Sequence, residues 1–186
     1  TGVDEAALGL LLLCLGIGSV ISMPITGWLC ARHGTRPMIL ISAMIMACAL
    51  PFLAYLFTYW ALAITLLIFG ASIGTLDVAM NIHAAEVEKR SGRALMSGFH
   101  GMFSVGAICG AGFVTLMISY GVAPLIATLC VTGSVIIAIL WVQSHYLITK
   151  IAFLIEGAIM DWGALLMIER AVFSMEQAAL GYIAFS

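Results

Sequence analysis

Residues 37–83 read PMILISAMIMACALPFLAYLFTYWALAITLLIFGASIGTLDVAMNIH, and Asp77 is the one Asp, Glu, Lys or Arg among them. As a single α-helix this stretch would be about 70 Å long, more than twice the roughly 30 Å hydrocarbon core of a bilayer. It must therefore fold back. The aromatic cluster Tyr55, Phe57, Tyr59 and Trp60 marks the interfacial turn, because such rings settle at headgroup level. One apolar stretch long enough for two crossings sets the fold class as all-α, a polytopic membrane helical bundle.

Working outward, Leu8 to Leu29 is a span on the N-terminal side, and Leu95 to Ile118 is one on the other. Ser119-Tyr120-Gly121 breaks the pattern before Val122 to Ile148. Ile151 to Ile168 is the last full run, and Ala178 to Ser186 begins another. The reading is six spans and the start of a seventh. Composition agrees: 63% of residues are hydrophobic and 9% charged, against about 25% charged in soluble domains. A net charge of −2 gives no reason to expect a nucleic-acid partner. The five cysteines, Cys14, Cys30, Cys48, Cys109 and Cys130, form no CxxC pair and have no histidine at metal-ligand spacing. They read as small core residues, and neither a metal nor a cofactor is expected.

Basic residues orient the bundle. Arg32 and Arg36 lie between the first and second spans, Lys89, Arg90 and Arg93 between the third and fourth, and Lys150 between the fifth and sixth. The intervening connections carry none, and Arg170 is the exception, flanked by Glu169 and Glu176. The positive-inside rule places the basic connections in the cytoplasm. The opening Thr1-Gly2-Val3-Asp4-Glu5 reads as the middle of a loop, with no basic segment and cleavage site of a signal peptide.

A short repeat extends the argument. Val3-Asp4-Glu5-Ala6-Ala7-Leu8-Gly9 recurs as Met175-Glu176-Gln177-Ala178-Ala179-Leu180-Gly181, six spans later. Coincidence in an Ala/Leu/Gly-rich chain is one reading. The other is a duplicated six-helix unit with parallel halves. The chain would then hold helices two to seven and the start of helix eight. Residues 1–149 would be most of the first bundle, without its first helix, and 150–186 the start of the second. Tyr146 to Ile151 joins two spans with almost no turn, which reads as a tight cytoplasmic hairpin or, by preference, as a place where residues are absent.

Gly27-Trp28-Leu29-Cys30-Ala31-Arg32-His33-Gly34-Thr35-Arg36 resembles the helix two to three loop signature of the major facilitator superfamily. Its Gly, Leu, Arg, Gly and Arg positions match, and Ala31 stands where the signature has an acid that latches the cytoplasmic gate. On physical grounds Gly27 permits close helix approach and Gly34 a tight turn, with Arg32 and Arg36 anchoring this gating loop. Gly74 to Asn81 looks like the fourth-helix pattern of the fucose-permease-like branch, in which an acid stands four residues before an Asn. Ser97 to Gly106 resembles its fifth helix, and Glu156 to Trp162 the seventh helix of inner-membrane transporters of the YbjJ type. Gly106-Ala107-Ile108-Cys109-Gly110 lacks the proline of drug–proton antiporters. The resemblance implies a multi-pass transporter of the bacterial inner membrane, monomeric when full length and working by alternating access.

Ionisable groups inside spans are costly and point to function. Asp77 and Asn81, four residues apart, share one helix face. A carboxyl in such surroundings can load and release a proton, and the resemblance assigns the matching acid to proton coupling. A structural carboxyl paired to a neighbouring helix is the alternative. Glu156 and Asp161 lie five residues apart, about 140° around a helix, so they do not share a face. Trp162 beside Asp161 suits stacking on a sugar ring. Asn81, Glu156, Asp161 and Trp162 are thus the solute-binding candidates, with hydration at the cytoplasmic end as the alternative for Glu156. His100 reads as a proton relay or, by preference, a satisfied interhelical hydrogen bond. His83, Glu86 and Glu88 read as solvated loop residues, and His33 and His145 as interfacial.

No HExxH or GxSxG occurs, and the four histidines are scattered, so an intramembrane enzyme is not expected. The function expected is a secondary transporter of a small polar solute, sugar-like by resemblance and coupled to protons. The alternative is a non-transporting scaffold or sensor relic of the same fold.

Overall fold

Lipid offers a backbone no hydrogen-bond partner, so each apolar run must satisfy its own N–H and C=O groups as a helix. The computed structural model describes residues 5–141 and 149–159, and these are helical almost throughout. The helices are α1 (Glu5–His33), α2 (Thr35–Tyr55), α3 (Tyr59–Ser91), α4 (Met96–Ser119) and α5 (Pro124–Trp141), with a sixth, α6, over 149–159. Five of them are long and apolar enough to cross a membrane. The paired residues 3–9 and 175–181, the junction near 146 and the end of the sixth run lie wholly or partly outside the described residues.

The connections fall at the expected breaks. Gly34 takes a left-handed backbone, φ 83°, that reverses the chain between α1 and α2. The fold-back of 37–83 comes at residues 56–58, where Phe57 and Trp60 stand 76% and 77% exposed, suited to an interfacial belt. Gly121, φ 75°, turns the chain towards α5.

Small residues set the packing. The closest pairing is α1 against α3. A Cβ placed on Gly70 would lie 2.0 Å from the Leu15 carbonyl oxygen, and one on Gly18 2.1 Å from that of Leu67. One turn on, a Cβ on Gly74 would meet Ser19 O at 2.6 Å. Backbone touches backbone at three successive places, which is how membrane helices gain dispersion contact without a hydrophobic drive. The polar groups at this seam are also paired: Thr26 Oγ1 donates to Ser22 O at 2.8 Å and lies 3.1 Å from Thr75 Oγ1. On the far side α2 packs on α3 and α5, and Thr132 Oγ1 donates to Ala47 O at 2.8 Å.

Three expectations change. Gly27 does not serve close helix approach, since open space surrounds a Cβ there; the crossing is centred lower, on Gly18, Gly70 and Gly74. Cys48, Cys109 and Cys130 are exposed rather than packed in the core. His83, Glu86 and Glu88 are not loop residues, because α3 continues to Ser91 and carries them. His83 is buried, with its Nδ1 2.7 Å from Thr35 Oγ1 at the start of α2. Glu86 remains exposed and pairs with Arg90 one turn on. Apart from Val87, Ala84 to Arg90 consists of strong helix formers, which extends the helix past its apolar run.

Glu88 has a distinct task. Its Oε2 accepts from the backbone N–H of Leu95 at 2.6 Å and of Met96 at 2.7 Å, satisfying two donors at the start of α4. Glu88→Ala should cost about 1–2 kcal/mol of stability. Hydrogen exchange would register it as faster exchange of the first-turn amides of α4, while Glu86→Ala, at an exposed pair, leaves them unchanged.

Candidate functional site

The site forms where α3, α4 and α6 meet. Asp77 stands on α3 one turn beyond Ile73 and Gly74, both buried, and is itself half-buried. The Asn81 side-chain amide donates both to Asp77 Oδ1, at 2.8 Å, and to the Asp77 backbone carbonyl, at 2.9 Å. The four-residue spacing thus produces the shared face the sequence implied. It also makes Asn81 the group that orients the carboxylate and leaves Asp77 Oδ2 for something else.

A second glycine crossing brings α6 in. A Cβ on Gly106 of α4 would lie 2.2 Å from Leu154 O, and one on Gly110 2.6 Å from Ala158 O. From the other side, a Cβ on Gly157 would lie 2.1 Å from Phe103 O. Glu156, next to Gly157, is carried into the interior and is 5% exposed, so it is not a hydrated residue at a helix end. It lies within electrostatic reach of Asp77. The two acids, 79 positions apart in the chain, thus sense each other's charge.

His100 enters from the first turns of α4. Its side chain is exposed, its ring is edge-on to Phe153 at 5.4 Å, and Phe153 stacks on Phe99 at 5.8 Å. Among the described residues the contact His100 makes with another helix is this aromatic one, to α6. His100 also lies within electrostatic reach of Asp77. Asp161 and Trp162 lie outside the described residues.

The loop residues gather at one end. Arg32 is exposed and its guanidinium sits 4.8 Å over the Trp28 ring, a cation–π contact that steadies the end of α1. Arg36 is half-buried in the first turn of α2. Among the described residues no three His, Cys, Asp or Glu side chains gather as metal ligands would.

Sequence reasoning missed the polar seam of α1, although Ser19, Ser22 and Thr26 recur at helical spacing in an otherwise apolar run. It missed the Thr35–His83 bond for a different reason: neither residue is unusual alone.

Comparison with known proteins gives a consistent picture. The sequence model of the Major Facilitator Superfamily matches residues 1–168. An uncharacterized MFS-type transporter of Yersinia pestis is 41% identical, covering the whole of this chain and 54% of the relative. An uncharacterized transporter of Sinorhizobium fredii, y4wD, is 35% identical over 99% of this chain and 56% of its own length. Membrane protein MosC of Rhizobium meliloti is 26% identical over 98% of this chain and 51% of its own. The chain therefore spans about half the length of the curated relatives it matches. The first alignment runs over 209 positions and the second over 219, more than the 186 residues here, so these relatives carry positions that this chain lacks. No solved structure matches.

Proposed function

This chain belongs to the major facilitator superfamily, and we propose that it works as a secondary active transporter of a small polar solute coupled to protons. The observation that carries this reading is the set of ionisable groups between α3, α4 and α6. Asp77, oriented by Asn81, lies within electrostatic reach of both Glu156 and His100 inside a membrane bundle. Carboxyls held out of water there are costly, and a transporter recovers that cost by using them.

Each residue then has a task. Asp77 loads and releases the proton, and His100, exposed at the cytoplasmic side of the site, relays it. Asn81 and Glu156 contact the solute, joined by Asp161 and Trp162. Gly27, Arg32, Gly34 and Arg36 form the gating loop. With Ala31 in place of an acid, the Thr35–His83 bond is the contact that ties this loop to α3. Residues 1–149 belong to the first bundle and 150–186 to the second, which rock about the site in alternating access. The membrane is the bacterial inner membrane, with the basic loops in the cytoplasm, and the fucose-permease-like branch makes sugars the first solutes to test.

The test is solute uptake into proteoliposomes holding the intact protein, under an imposed pH gradient. Uptake of at least one sugar or amino sugar that collapses when a protonophore is added supports the reading. Uptake indifferent to the gradient overturns the coupling, and no uptake of any solute tested favours the scaffold alternative.

A further inference from the structure

Helices α4 and α6 meet in two distinct ways. Near the middle of α4 the contact is backbone on backbone. A Cβ on Gly106 would lie 2.2 Å from Leu154 O, one on Gly110 2.6 Å from Ala158 O, and one on Gly157 2.1 Å from Phe103 O. The partners advance together, 106 with 154 and 110 with 158, so the two helices run parallel and start at the same end. At that end the contact is ring on ring. Phe99, in the first turn of α4, stacks on Phe153 of α6 with centroids 5.8 Å apart and planes 8° from parallel, and both rings are buried. His100 closes the edge of Phe153 at 5.4 Å and 75°. Arg93 precedes α4 and Lys150 lies in the first turn of α6, so the positive-inside rule makes this end the cytoplasmic one.

The two contacts resist different motions. Glycine faces carry no side-chain ridges, so two backbones can tilt on each other there without unlocking interdigitated side chains. A stacked ring pair is directional and is lost once the rings part. Phe99 stands seven residues before Gly106, about 10 Å along the helix axis. A small tilt at the crossing therefore becomes a separation of the rings. Stacked rings bias an equilibrium by about two- to tenfold beyond their buried area. That is enough to favour one state and little enough to release it.

The transport reading above puts residues 1–149 in one bundle and 150–186 in the other, so α4 and α6 belong to opposite bundles. We propose that the glycine crossing of α4 on α6 is the pivot of the rocking step, and that Phe99 and Phe153, edged by His100, are the catch that holds its cytoplasmic end shut. This rests on the transport reading and deepens it. The crossing persists through the cycle, and the ring stack breaks when the cytoplasmic side opens. Glu156 lies between Leu154 and Gly157, so the pivot stands at the level of the candidate site.

Distances within the intact protein in lipid nanodiscs test this without any flux. Spin labels carried on ketone-bearing unnatural residues leave the cysteines untouched. One pair of labels stands at positions Ser97 and Lys150, at the cytoplasmic end, and the other at Ile108 and Leu154, beside the crossing. Pulsed electron paramagnetic resonance should find a short separation and a minor share of a long one for the first pair, and one separation for the second. Phe153→Leu keeps an apolar side chain and removes the stack. It should raise the share of the long separation at least about twofold, and Phe99→Leu should do the same from the other helix. Phe113→Leu, at an exposed ring further along α4, should leave the share unchanged. A share that either stack variant leaves unmoved, or that Phe113→Leu moves as much, overturns the catch. If one stack variant does not fold, the other decides. A second pair that lengthens with the first overturns the pivot. A protein that shows these distances but carries no solute loses the transport reading alone, and fixed distances beside proton-driven uptake remove the pivot and catch alone.

Discussion

Asp77→Asn should abolish uptake driven by a proton gradient and leave counterflow exchange of the same solute largely intact. Asparagine matches the shape of the acid and keeps an oxygen for the Asn81 amide, so the 2.8 Å contact that orients the side chain can persist. What is lost is the exchangeable proton and the charge that Glu156 and His100 sense. Counterflow needs binding and the rocking step but no net proton movement, so it isolates coupling from folding and gating. Concentrative uptake should fall at least tenfold, with counterflow within about twofold of the parent protein; a tenfold effect corresponds to about 1.4 kcal/mol. Full gradient-driven uptake by the variant would remove Asp77 from the coupling role. Loss of both activities would make it a structural carboxyl, the alternative its sequence left open.

Gly70→Ala is expected to have the largest effect on stability. Its new Cβ would lie 2.0 Å from the Leu15 carbonyl oxygen, a backbone atom that no rotamer change can move aside. Helices α1 and α3 must separate, and the neighbouring contacts at Gly18 and Gly74 loosen with them. Overpacking of this kind costs about 1–3 kcal/mol, and here the cost is spread along a whole helix pair. The melting temperature of the purified protein should drop by several degrees, or the variant should fail to accumulate. Gly16→Ala, on α1 with open space around its Cβ, is the matched control and should melt like the parent. Equal melting of both variants would show that the crossing does not depend on backbone contact.

Much of the fold was legible because lipid imposes a blunt rule on the chain. A 47-residue apolar stretch too long for one crossing, punctuated by an aromatic cluster, leaves few arrangements. The misjudged end of α3 has the same origin. Hydropathy locates where a helix leaves the hydrocarbon, not where it stops, and Ala84 to Ser91 is helical beyond that point. Helix propensity and the Glu86–Arg90 spacing carried the missing signal.

The site was legible in part. The Asp77–Asn81 pair is a local relation, fixed by helical periodicity, so sequence alone could give it. The electrostatic link between Glu156 and Asp77 is not local. It depends on α6 lying against α4 through Gly106, Gly110 and Gly157, and glycines in a helical membrane chain do not say which helix they meet. His100 illustrates the same limit: its position near Phe153 follows from that crossing rather than from its neighbours in the chain.

Proton movement caused by solute is the most direct test of the central claim. Proteoliposomes containing the intact protein and a trapped pH-sensitive dye, with no imposed gradient, would receive an inward solute gradient of each sugar and amino sugar in turn. The account predicts that a transported solute shifts the luminal pH, that the shift scales with solute flux, and that Asp77→Asn moves solute in counterflow with no shift. Solute entry with an unchanged luminal pH in the parent protein would contradict it.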